Sequence, residues 1–172
     1  MSKVLVVVDM QNDFIDGALG TKEAVAIVPY VKEKIENFDG VVLYTRDTHF
    51  EDYMNTQEGH NLPVPHCIKG TQGWGIRPEL EALRKTEAID KVTFGSSGLP
   101  VALKELNDVD AIESITFVGV VTNMCVISNA VVAKAACPDV EIIIKKDLVD
   151  SFDKELHQKA LDVMASMQMT IE

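Results

Sequence analysis

No run of apolar residues in this chain approaches the roughly 20 needed to cross a bilayer; runs such as Val4 to Val8 and Ile142 to Ile144 are no more than strand-sized. A membrane-embedded protein is therefore not expected. Basic residues are also scarce, 16 Lys and Arg against 27 Asp and Glu, and the resulting formal charge of −11 argues against nucleic acid or an anionic lipid surface as partner. Cysteine is sparse and odd in number: Cys67, Cys125 and Cys137 form neither a disulfide framework nor a CxxC pair. At least one thiol stays unpaired, as suits a reducing compartment. The N-terminus passes from Met1-Ser2-Lys3 directly into a Val-rich run, without the pattern of an export signal, so a cytoplasmic setting is expected. Linkers, repeats and low-complexity segments are lacking too, so residues 1–172 are read as one domain.

What the chain does have is alternation. Lys3–Asp9 reads as a strand buried on both faces, followed by a helical pattern over Thr21–Phe38 that Pro29 should interrupt or delay. Further strands are expected at Gly40–Arg46, Ala88–Thr93, Ser114–Val121, Val140–Lys146 and, briefly, Met169–Ile171. Helices are expected at Pro78–Arg84, Leu99–Leu106, Asn123–Ala136 and Phe152–Met167, the last with Asp153 near its cap. This order predicts an α/β protein: three layers, α/β/α, around a mostly parallel six-stranded Rossmann-like sheet. Between Asp47 and Trp74 lies a long stretch rich in His, Asn, Gly and Pro without periodicity, a length of loop that is usually functional.

In such sheets ligands bind beyond the carboxyl ends of the strands, and chemically capable residues stand there. Asp9 ends the first strand, as either a turn-capping carboxylate or an acid/base. Asp47 and His49 end the second and His66 returns from the irregular stretch; Asp and two His suit a divalent metal, although the spacing alone is weak evidence. Lys91 ends the third, as either a solvated lysine or a cation beside the crevice. Cys125 falls in the first turn after the fourth strand, where helix N-terminal N–H groups favour a thiolate and can hold an oxyanion. Together they form a coherent set for acyl transfer, in which Asp9 takes the thiol proton, Lys91 stabilises charge and Cys125 attacks.

Five segments, Val8-Asp9-Met10-Gln11-Asn12-Asp13-Phe14, Thr45-Arg46-Asp47-Thr48-His49, Pro65-His66-Cys67-Ile68-Lys69-Gly70-Thr71, Lys91, and Gly119-Val120-Val121-Thr122-Asn123-Met124-Cys125-Val126, resemble the isochorismatase-like cysteine hydrolases, and within them the nicotinamidase branch. The resemblance implies a triad of Asp9, Lys91 and Cys125 that forms a thioester acyl-enzyme. It implies an oxyanion hole from the N–H groups of Val121 and Cys125, set by a cis peptide between Val120 and Val121. It further implies a divalent metal, zinc in type, on Asp47, His49 and His66 to meet a pyridine nitrogen, a pocket walled by Phe14 and Val120, and a homo-oligomer, dimer or tetramer. The implied reaction is hydrolysis of nicotinamide or a close heteroaromatic amide to the acid and ammonia. Leu62-Pro63-Val64-Pro65 and Phe94-Gly95-Ser96-Ser97 replace aromatic elements usual in that branch; Trp74 stands in the same loop, either as a substitute wall or as a residue packed against a neighbouring subunit. His60 is read as a loop residue. The alternatives are a hydrolase of another small amide or N-carbamoyl compound and, in a different class, a non-catalytic protein with Cys125 as a sensor thiol.

Overall fold

The computed structural model describes all 172 residues. Six strands, β1 (Ser2–Val8), β2 (Val41–Asp47), β3 (Ile89–Lys91), β4 (Ile112–Val120), β5 (Glu141–Asp150) and β6 (Thr170–Ile171), form one sheet in the order β3-β2-β1-β4-β5-β6. Every pairing is parallel, so the sheet is wholly rather than mostly so. Alternate residues of β1 feed two apolar layers. Val4, Val6 and Val8 pack with Leu99 and Leu103 of α5 (Gly98–Val109), Ala130 of α6 (Ile127–Ala136) and Leu161 of α7 (Lys154–Ser166). Leu5 and Val7 pack on the other face with Ile15 of α1 (Asn12–Ile15), with Ile27, Val28 and Val31 of α2 (Lys22–Glu36), and with Leu80 of α4 (Pro78–Glu81). Burial on both faces is why β1 reads as an unbroken Val run rather than an alternating one.

Pro29 neither delays nor ends α2. The helix starts at Lys22, where the Thr21 hydroxyl accepts from Ala24 N at 3.0 Å, and Pro29 falls on its exposed face, where water can satisfy the carbonyl that its missing N–H would have bonded. The strand β5 runs four residues beyond the expected Lys146, because the register between β4 and β5 shifts after Phe117 and the polar Lys145–Asp147 segment spans that irregularity. The stretch after β2 is not featureless: a 3₁₀ turn (Tyr53–Asn55) and a short helix, α3 (Gln57–Asn61), lie within it.

The chain order reverses between β1 and β4, and their carboxyl ends open the crevice. At that point Gly119 has φ +116°, and a Cβ there would come within 2.2 Å of the Val8 carbonyl oxygen. Gly119→Ala is expected to cost about 2–4 kcal/mol through backbone strain and overpacking. Urea unfolding would show it as a lowered midpoint with an unchanged slope.

Candidate active site

Asp9 ends β1 in the left-handed region at φ 48°, a conformation that aspartate tolerates better than most residues, and the Gln11 N–H closes the turn on its carbonyl at 2.7 Å. The turn places the carboxyl beneath the ends of the neighbouring strands. Its Oδ1 accepts from the Thr45 hydroxyl at 2.7 Å, and its Oδ2 lies 2.7 Å from the Lys91 ammonium. Lys91 Nζ also lies 3.4 Å from Cys125 Sγ and 3.3 Å from Asp47 Oδ1, and it donates to the Thr93 carbonyl at 3.0 Å. All three expected triad members are buried, and Lys91 is in contact with both of the others.

Burial pushes the Asp9 carboxyl above the usual range while Lys91 pulls it back, which leaves a carboxylate more basic than one in water. Burial also acts against the charge on Lys91, yet Asp9, Cys125 and Asp47 around it hold the ammonium above the ordinary lysine range. For Cys125 the expected thiolate is not the resting form. Desolvation, reinforced by the Asp9 charge, outweighs the pull of Lys91 and keeps the thiol protonated, hydrogen-bonded to Asp9. Proton transfer to Asp9 thus belongs to the attack rather than to the free protein.

The thiol's segment is a single π-type turn, Thr122–Val126, between β4 and α6. The Val121 carbonyl accepts from the N–H groups of Met124 (3.0 Å) and Val126 (3.1 Å) but not from that of Cys125 between them, and the Val120–Val121 peptide is cis. Asn129, one helical turn on and fully buried, donates to the carbonyls of Cys125 (2.8 Å) and Phe94 (3.0 Å) and accepts from Ser96 N (2.9 Å), fastening the thiol's turn to the loop after Lys91. Gln11 does the same for β2: its amide brackets the Asp47 backbone, accepting from N at 2.7 Å and donating to O at 2.8 Å.

Beside the triad, one ligand atom from each of Asp47, His49, Glu58 and His66 lies within 4.8 Å of the others. His49 Nε2 is 2.9 Å from Asp47 Oδ2 and 3.6 Å from Glu58 Oε1; His66 Nε2 is 3.5 Å from Asp47 Oδ2 and 3.6 Å from Glu58 Oε1. His66 Nδ1 donates to the Val64 carbonyl at 2.8 Å, which leaves Nε2 as the lone-pair nitrogen facing the group. Tyr53 packs edge-on against both imidazoles, with ring centroids 4.8 and 5.1 Å away. Two nitrogens and two carboxylates in this span fit a divalent metal. Glu58 was not expected from the sequence, and neither was Tyr53. His60, two positions beyond Glu58 on α3, is exposed and stands outside the group.

Both sets open on one cavity of about 390 Å³ whose lining includes Phe14, Val120, Val121, Cys125, Asp47 and His66. Leu62, Phe94, Met124 and Phe152 also line it, each more than a third exposed, and supply an apolar rim. Trp74 takes no part in the lining. Its ring stacks on the Arg46 guanidinium at 3.7 Å and its Nε1 donates to Thr48 Oγ1 at 2.9 Å, so it braces the end of β2 within the chain. No helix is long and apolar enough to cross a membrane.

Residues 3–172 match the Isochorismatase domain family. A nicotinamidase/pyrazinamidase of Mycobacterium tuberculosis is 28% identical over 149 residues, covering 74% of this chain and 76% of that protein. Among solved structures, a pyrazinamidase/nicotinamidase of Streptococcus mutans superposes with a TM-score of 0.82 at 28% identity, over 99% of this chain and 100% of the other. A pyrazinamidase of Pyrococcus horikoshii in complex with zinc does so with a TM-score of 0.80 at 26% identity, over 100% and 99%. With its parallel sheet and strand-end site as described and the match spanning nearly its whole length, the chain belongs to the isochorismatase domain family.

Proposed function

We propose that the chain is a cysteine amidohydrolase that converts nicotinamide, or a close heteroaromatic amide, to the carboxylic acid and ammonia. The observation that carries this reading is the junction of two chemistries at one cavity: Lys91 touches Asp9 and Cys125 on one side and Asp47 of the metal-donor group on the other. A thiol beside a buried base suits acyl transfer, and donors for a metal suit a substrate carrying a second lone pair near its amide.

In this reading Asp9 accepts the Cys125 proton as sulfur bonds to the amide carbon, and the N–H groups of Val121 and Cys125 receive the oxygen's charge. The same proton passes from Asp9 to the departing nitrogen, the C–N bond breaks, and ammonia leaves a thioester. Water then gives a proton to Asp9 and attacks the thioester; the acid departs and the thiol is reprotonated. Lys91 remains an ammonium throughout and keeps Asp9 oriented. Asp47, His49, Glu58 and His66 would hold the metal, zinc by the character of the donors and by the Pyrococcus relative, and it would supply Lewis acidity toward a heteroaromatic nitrogen.

The cavity's size favours a second reading within the same chemistry. About 150 Å³ suffices for a single six-membered ring, so a 390 Å³ cavity leaves room for another small amide or an N-carbamoyl substrate. A sensor role for Cys125 is disfavoured, since redox-sensing thiols are exposed and acidic whereas this one is buried and raised. Ammonia release across a panel of small amides, with metal content measured in the same preparation, tests the assignment. Nicotinamide is expected to be the best substrate, with a divalent ion bound per chain and lost from His66→Ala. Turnover confined to non-aromatic amides, or full nicotinamide turnover by metal-free protein, would overturn the substrate and metal assignments respectively.

A further inference from the structure

The π-type turn that carries Cys125 has one side-chain tether that the acyl-transfer chemistry does not use. Thr122, the residue after Val121, is fully buried, and its Oγ1 lies 2.8 Å from Nδ1 of His157, half-buried on α7. No other hydrogen-bond partner reaches that hydroxyl. His157 is itself held in place: Asp153 caps α7 by accepting from Leu156 N at 2.9 Å, and its carbonyl accepts from His157 N at 2.9 Å. The segment just before this cap, Asp150 to Phe152, lines the cavity.

We propose that His157 is a positioning residue for acyl transfer, fixing through Thr122 the turn that presents the backbone N–H groups of Val121 and Cys125. The inference rests on the amidohydrolase reading and deepens it. Oxyanion donors act only within a narrow distance of the developing charge, and a displacement of about 1 Å can cost 10²-fold in rate. The turn's own backbone anchors Val121 only through its carbonyl, which accepts from Met124 and Val126: the Val121 N–H donates no hydrogen bond within the protein, and the next residue, Thr122, is tied down by His157. Burial keeps the imidazole below its usual range; Asp150 acts against this and Lys154 adds to it, so at neutral pH the ring is uncharged and Nδ1 can serve as acceptor. The segment that leads into this helix, Asp150 to Phe152, walls the cavity, so the start of α7 adjoins both where the amide lies and the turn that receives its oxygen.

Four variants test this: Thr122→Val and Thr122→Ser on one side of the bond, His157→Leu and His157→Asn on the other. Serine keeps the hydroxyl, and asparagine places an amide group near the position of Nδ1. With nicotinamide, or whichever amide the wild type turns over fastest, Thr122→Val and His157→Leu are expected to lower kcat about 10-fold or more with KM nearly unchanged, while Thr122→Ser and His157→Asn recover most of the loss. Melting temperatures recorded alongside identify any variant that fails to fold, and the near-isosteric threonine pair then decides. Wild-type kcat in all four, or a rise in KM at constant kcat, would overturn the proposal, and so would an asparagine variant no better than the leucine one. A wild type that turns over no amide would instead remove the amidohydrolase reading and this inference with it.

Discussion

Cys125→Ala is expected to lower amide turnover by roughly 10⁴-fold or more while leaving the fold intact. The large effect follows from the absence of a substitute. Cys67 is buried with its thiol pushed up, first by burial and then by nearby carboxylates, and it has φ 47° in a loop pinned by Asp13, whose Oδ2 accepts from Cys67 N at 2.8 Å. Cys137 caps the far end of α6 and is likewise raised by burial. Only Cys125 lies beside both a base and a cation. The mild structural effect follows from size: sulfur to hydrogen in a site that opens on a cavity leaves no sealed void. Steady-state ammonia release together with a thermal melt checks both halves, and near wild-type turnover would exclude nucleophilic catalysis at this residue.

Lys91→Met is expected to abolish activity and also to destabilise the protein by about 3–5 kcal/mol, because it strands buried charge. The lysine side chain is 1% exposed and stands between the carboxylates of Asp9 and Asp47, which are 0% and 6% exposed. For a chain of this size the loss corresponds to a fall of roughly 6–20 °C in Tm. The double variant Lys91→Met/Asp9→Asn, which removes one stranded charge, is expected to regain part of that stability without regaining activity. A double variant less stable than Lys91→Met alone would show that the ion pair does not dominate the site's energetics. Differential scanning calorimetry of the three proteins makes the comparison.

The layered fold was legible because its strands are buried on both faces, so β1 appears as a continuous apolar run from Val4 to Val8 and β4 as a largely apolar one, each bounded by chemically distinct residues. The same boundaries exposed the triad: Asp9, Lys91 and Cys125 each stand at or just beyond a strand end, where a parallel sheet brings sequence-distant residues together. Glu58 was hidden by the opposite circumstance. It sits on a helix of five residues inside a segment without periodicity, and its approach to His49 and His66 depends on Tyr53 and on the return of the chain through Val64. The bracing roles of Gln11 and Asn129 were equally invisible, since their partners are backbone atoms whose positions no residue pattern specifies. Neighbour identity misled on two points. Lys91 beside Cys125 suggested a thiolate, but complete burial and the Asp9 charge decide the proton's place. Trp74 read as either a pocket wall or a residue packed against a neighbouring subunit, but Arg46 offers its ring a cationic face within the fold.

The account stands on a covalent intermediate at Cys125, and mass spectrometry of acid-quenched enzyme through the first turnover with nicotinamide observes that intermediate directly. The peptide containing Cys125 is predicted to gain the mass of the nicotinoyl group, transiently and reversibly by hydroxylamine. Nicotinate formed through the first turnover while that peptide keeps its unmodified mass would contradict it.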